Sequence, residues 1–170
     1  MKRSLNEIGA LVYKAALGVG IPVGQAEDLS RTALYLASQD TSLSPILDAL
    51  REPSEPIDVA MGGDQLVIKS GTAAMTAPMV QDCFCSGTCT ARLAKASHSP
   101  LVAAMLAQGG MACRIDGAIV HRTGRVTTAA RTGPVDVPDD VWLALSGLAA
   151  RILVPDSAVS RAGAGPTGDG

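Results

Sequence analysis

The chain has 170 residues, 47% of them hydrophobic, with 14 basic against 16 acidic side chains for a formal charge of −2. That length and apolar content fit one ordinary folded domain and exclude a disordered chain. The scattered charges give no basic groove for nucleic acid and no basic amphipathic helix for a membrane surface. Aromatic residues are only 2% of the chain, so its core must be built from Ala, Val, Leu, Ile and Met. Part of that apolar surplus suits a subunit interface, and a homo-oligomer, most simply a dimer, is the expected state. The opening "MKRSLNEIGALVYKAALG" is interrupted by Glu7 and Lys14, too polar for a signal core or a membrane span. A cytoplasmic protein with reduced cysteines is expected.

The first helix is announced by "SLNE", with Ser4 as N-cap and Glu7 three residues on, and by apolar Leu5, Ile8, Val12, Ala15 and Ala16 at helical spacing. "GVGIPVG" should end it, with Gly18 in the left-handed terminal position. A second helix is expected over 25–38, burying Leu29, Ala33, Leu36 and Ala37, with Glu27 and Asp28 in its first turn. "SPILDAL" predicts a third, capped by Ser44 with Pro45 at its first position. After "REPSEPID" the period changes. "DVAMGGDQLVIKSG" predicts a β-hairpin turning at Gly62–Gly63–Asp64, and "MACRIDGAIVHRTGRVTTAAR" a meander turning at Asp116–Gly117 and Thr123–Gly124. The segment 72–108 is ambiguous, apart from a short helix in "SPLVAAMLAQGG" capped by Ser99 and ended by Gly109. "VPDDVWLALSGLAARIL" predicts a last helix burying Val141, Leu145, Leu148 and Ile152, with Trp142 as its anchor.

The expected class is therefore a single α+β domain over 1–170: a helical hairpin or three-helix segment (1–51), a mainly β part forming an antiparallel β-meander (57–132), a C-terminal helix (137–153) and a glycine-rich tail (154–170).

Three stretches offer chemistry. "CFCSGTC" places Cys83, Cys85 and Cys89 within seven residues. On a strand Cys83 and Cys85 would share a face, and Cys113 or His98 could complete a soft-metal set. The spacings match no standard ligand pattern, however, so packing is preferred, metal comes second and thiol redox third. No cofactor is indicated. His121 in "AIVHRTG", beside Arg122 and Arg125, fits a general base with an anion-holding guanidinium; the plainer reading is a half-exposed sheet residue. His98 in "KASHSP" is read as a surface loop residue. The tail "SAVSRAGAG" combines hydroxyls, a guanidinium and close-set glycines, a composition suited to an anion and equally to a free terminus.

The stretches "SLNEIGALVYKAALGVGIPVGQAEDLSRTALYLA" and "ILVPDSAVSRAGAGPTGDG" resemble the start and end of a bacterial family known as domain of unknown function 3726. The resemblance implies no reaction, substrate or cofactor. It does single out Ser160, Arg161, Gly163 and Gly165 for ligand or partner contact, because a terminal strip without core residues has no packing reason for that sequence. The functional expectation is a small protein binding a small anionic metabolite, as an accessory subunit or minor enzyme of a catabolic operon. Arg161 would hold the anion, and His121 and Arg122 would be the chemical groups. The alternatives are a non-catalytic oligomeric scaffold or interaction protein, and a soft-metal or thiol protein using Cys83–Cys89.

Overall fold

The computed structural model describes residues 1–127 and 132–152. Its elements in chain order are β1 (Lys2–Arg3), α1 (Leu5–Gly18), α2 (Val23–Ser38), α3 (Ser44–Arg51), β2 (Asp58–Gly62), β3 (Gln65–Ser70), α4 (Ala73–Cys85), β4 (Thr90–Arg92), α5 (Ser99–Gln108), β5 (Met111–Asp116), β6 (Ile119–Arg125), β7 (Val135–Asp136) and α6 (Asp139–Ala149). Single 3-10 turns at Ala96–His98 and Ala150–Ile152 lead into α5 and out of α6. The chain is α+β.

The predicted capping box is formed. Ser4 Oγ accepts the Glu7 N–H at 3.2 Å while the Glu7 carboxylate accepts the Ser4 N–H at 2.8 Å. Ile8, Val12, Ala15 and Ala16 are all buried. The left-handed residue after α1 is Gly20 (φ +84), not Gly18, which stays in the helix. Gly18 is small for another reason: a Cβ there would strike the backbone carbonyl of Leu148 where α6 crosses α1. Pro22 opens α2 instead of merely ending the turn, so Glu27 and Asp28 fall beyond its first turn. In α3 the N-cap is Leu43, one residue before the expected Ser44, and it makes no side-chain capping bond; the N–H of Ser44, the first helical residue, donates instead to Ser42 Oγ at 3.1 Å.

Strands β2 and β3 form the expected hairpin, with Gly62 opposite Gln65 and a positive φ at Gly63, the first of the two loop residues. Strands β5 and β6 form a second, closed through Gly117 (φ +57) with Asp116 opposite Ile119. The expected turn at Thr123–Gly124 is absent; both residues lie in β6, and a register shift at Ala112/Cys113 absorbs the local irregularity opposite Gly124. The sheet order is β2-β3-β4-β6-β5. Three-residue β4 lies parallel to β3 and antiparallel to β6, so β3–α4–β4 is a crossover inside an otherwise antiparallel sheet. The span 57–132 thus contains α4 and α5 as well as strands.

Leu66, Ile68, Ala91 and Val120 face the helices and are buried. Helix α4 lies against β3 and α5 against β5, the two pack on each other, and α2 packs on both. Helix α1 packs on α2 and α6. Val141, Leu145 and Leu148 of α6 are buried as expected, whereas Ile152 is 40% exposed because α6 has already loosened into a 3-10 turn.

Candidate functional site

Neighbouring residues on a strand point to opposite faces of the sheet. His121 and Arg122 are such neighbours in β6, so the structure does not bring them to one small ligand. His121 shares the outward face with its register partners Thr90 of β4 and Arg114 of β5. Its Nδ1 is 3.5 Å from Thr90 Oγ1. The guanidinium beside His121 across the sheet is therefore Arg114, a pairing that strand register reveals and sequence adjacency hides.

Arg122 faces the helices. Its Nη1 donates to the carbonyl of Phe84 in the last turn of α4 at 2.7 Å, placing positive charge on the negative end of the helix dipole. Arg122 and Arg125 then line an open cavity of about 450 Å³ together with Cys85, Met111, Thr127 and the Gly109–Gly110 turn after α5. Among the described residues, both charged side chains of that lining are arginines. A guanidinium has five N–H donors, so the bond to Phe84 leaves Arg122 donors for a second acceptor.

The cysteine run is not on a strand. Cys83 and Cys85 belong to the last turn of α4, where residues two apart diverge by about 200°. Cys83 packs against the core while Cys85 is exposed. Gly87 (φ +111) turns the chain as expected, but exposed Cys89 then lies in a cavity with the β2–β3 turn, away from Cys85's cavity. Cys113 pairs across the sheet with Arg122. All four thiols are free, and among the described residues no group of three His, Cys, Asp or Glu side chains could hold a metal. Burial raises the Cys113 thiol above its usual value, and burial followed by the nearby Asp82 charge raises that of Cys83.

A second polar centre lies at the opposite end of α4. His98, expected on the surface, is 1% exposed. Its Nε2 is 2.8 Å from Glu52 Oε1, while Glu52 Oε2 accepts the Ala73 N–H at 2.6 Å at the start of α4. Lys95 approaches Glu52 at 3.7 Å and Glu55 at 3.2 Å. Burial alone would raise the Glu52 carboxyl, but the Ala73 N–H, His98 and Lys95 together outweigh it and hold the group below the usual glutamate range. Nothing in "KASHSP" signals burial, because the histidine is enclosed by α3 and α4 from other parts of the chain. One sequence cue is the acid Glu52 directly after α3, twenty-one residues before the helix it caps.

The tail residues Ser160, Arg161, Gly163 and Gly165 lie outside the described residues. A family model described as "Protein of unknown function (DUF3726)" matches residues 3–57, so the likeness of the chain's opening to that family is found. The match covers α1, α2 and α3 and stops short of the sheet, the cysteines and the arginine-lined cavity. No curated protein and no solved structure matches the chain.

Proposed function

We propose that the protein binds a small anionic metabolite, a carboxylate or phosphate, in the cavity between the C-terminal ends of α4 and α5 and the end of the β5–β6 hairpin. One observation carries this reading: Arg122 and Arg125 line the same open cavity, and among the described residues no carboxylate lines it with them. Paired guanidinium groups match the oxygens of a carboxylate or phosphate, and with no acid in the described lining the Arg125 charge and the remaining Arg122 donors are available to a ligand. Arg122, half-buried and held by Phe84 O, is the fixed donor. Arg125, on the exposed edge of the hairpin, is the adjustable one. In this reading the C-terminal strip with Ser160, Arg161, Gly163 and Gly165 adds a further anion contact, on the strength of its sequence alone, and the protein works as an accessory subunit or minor enzyme. His121 and Arg114 on the outward face take no part in holding this ligand.

The test is calorimetric titration with a panel of mono- and dicarboxylates and phosphate esters. At least one should bind saturably, and Arg125→Ala should weaken it by about tenfold or more, the loss expected for a charge-assisted hydrogen bond. Ending the chain after Val159 should weaken the same ligand. A panel in which no anion binds, or binding indifferent to Arg125→Ala, rejects the reading.

A further inference from the structure

Cys85 and Cys89, the two exposed thiols, open into different cavities. Cys85 lines the cavity of about 450 Å³ together with Arg122 and Arg125. Cys89 lines one of about 290 Å³ together with Met61, Asp64 and Thr88. Among the described residues, the charged groups of the first lining are both cations, and the charged group of the second is a carboxylate. Two thiols on either side of one short turn therefore stand in fields of opposite sign. Exposure alone would not tell them apart, but the charge around each does.

Cys85 is the last residue of α4, so the negative end of the helix dipole lies beside it and by itself would repel an anion. Arg122 offsets that charge by donating to the carbonyl of the preceding residue, Phe84, at 2.7 Å. Gly109 and Gly110 contribute no side chain to fill the space in front of the thiol. We propose that Cys85 is a site of reversible thiolation by carboxylate-bearing disulfides, and that the attached group occupies and closes the anion cavity. The proposal rests on the reading of that cavity as an anion site. The Cys85 thiolate attacks one sulfur of the disulfide, and a bond from Cys85 Sγ forms as the original S–S bond breaks. The departing thiolate takes up a proton in place of the one Cys85 gave up. The disulfide is the oxidant: its released sulfur is reduced and the Cys85 sulfur is oxidised. The retained half keeps its carboxylate on Arg125 and on the Arg122 donors that Phe84 leaves unused. Excess thiol reverses the step.

The probes are 3,3′-dithiodipropionate, bis(2-hydroxyethyl) disulfide and cystamine, which are anionic, neutral and cationic. Each is applied to the full chain near neutral pH, and modification is followed at each cysteine by peptide mapping. Rates are taken relative to the same cysteine in the denatured chain, which cancels the intrinsic reactivity of each disulfide. At low ionic strength Cys85 should favour dithiodipropionate over cystamine by about tenfold, as two nearby cations imply, and Cys89 should show the reverse order. Salt at about 1 M should collapse both preferences, since the screening length falls to about 3 Å. Arg125→Ala should lower the Cys85 preference by about threefold and leave its rate with the neutral disulfide unchanged, which a mere change of exposure would not do. In Cys89→Ser, thiolation of Cys85 by dithiodipropionate should abolish the anion titration, and dithiothreitol should restore it. Equal relative rates at Cys85 for all three probes, a preference that survives Arg125→Ala intact, or anion binding undiminished by thiolation overturns the proposal. The rate comparison needs no bound metabolite. A charge-selective Cys85 beside a silent anion panel would keep the thiolation site and reject the metabolite reading, and a bound anion beside an unselective Cys85 would do the opposite.

Discussion

Glu52 and Arg122 hold opposite ends of one helix. The Glu52 carboxylate accepts the Ala73 N–H at 2.6 Å at the start of α4, and the Arg122 guanidinium donates to the Phe84 carbonyl at 2.7 Å at its end. Each charge sits on the pole of the helix dipole that favours it. Neither side chain belongs to α4: one comes from the end of α3 and the other from β6. Helix α4 needs this help, since it carries Pro78 in its interior and its N-cap, Thr72, makes no side-chain capping bond.

Glu52 should therefore govern acid stability. Its carboxyl is depressed in the folded state, so its contribution is fully present above the usual glutamate range and is lost as the pH falls through the folded value. Glu52→Gln should lower the unfolding free energy at neutral pH by about 1–3 kcal/mol, the cost of disturbing a buried charged hydrogen-bond centre. It should also flatten the acid limb of the stability profile. Urea midpoints between pH 3 and 7 would decide it, and an acid limb as steep as the parent's would assign that slope to other groups.

Gly18 should tolerate no side chain. A Cβ at this position meets the Leu148 carbonyl, a backbone atom that cannot rotate away. Gly18→Ala should cost about 1–3 kcal/mol, the range for overpacking. Gly147 of α6 has no described atom within 4 Å of a built Cβ. Gly147→Ala should raise stability by about 0.5–1 kcal/mol through helix propensity. Denaturant midpoints of opposite sign for these two substitutions are the expected result.

The single tryptophan reports on how the chain's opening meets α6. The Arg3 guanidinium carbon lies 4.0 Å from the centroid of the Trp142 ring, with Glu7 3.6 Å from the same guanidinium. Arg3→Ala should remove about 0.5–1 kcal/mol of cation–π attraction. The Trp142 emission maximum should shift in the native state. Arg3→Lys should restore only part of the loss, because an ammonium lacks the planar stacking surface. Unfolding followed by Trp142 fluorescence measures both effects.

Thiol reactivity should divide two and two. Cys85 and Cys89 are exposed, while Cys83 and Cys113 are half-buried and have thiols pushed up by burial. A chromogenic disulfide reagent at pH 8 should give two fast and two slow thiols in the native protein, and four fast ones in denaturant. Fewer than four reactive thiols after denaturation would favour the thiol-redox reading of Cys83, Cys85 and Cys89, and fast thiols protected until a chelator is added would restore the soft-metal one.

The legible parts of the fold were those whose signals are local. The Ser4–Glu7 box, the helical spacing from Ile8 to Ala16 and the Gly63 and Gly117 turns are each decided within a few residues, and each is found. Helix α4 was hidden because Pro78 breaks the usual pattern and because its end caps come from Glu52 and Arg122, far away in sequence. Strand β4 was hidden because three residues, Thr90–Arg92, carry no period. The sites followed the same division. Arg122 and Arg125 were visible as charges near one another, but the alternation that separates His121 from Arg122 counted only once β6 was known to be a continuous strand. The burial of His98 was beyond reach, since it depends on α3 and α4 closing over a stretch that reads as polar loop.

The modest size of β4 bears on how the sheet is assembled. Each hairpin draws on neighbouring chain alone, whereas Thr90–Arg92 can stitch them together only after α4 has been laid down between β3 and its parallel partner. Fully enclosed Ala91 is the middle stitch. Bulkier replacements there should leave both ribbons intact yet unfastened from each other, and amide exchange would show it as lost protection along the β3–β4 and β4–β6 seams with the two outer ladders still slow.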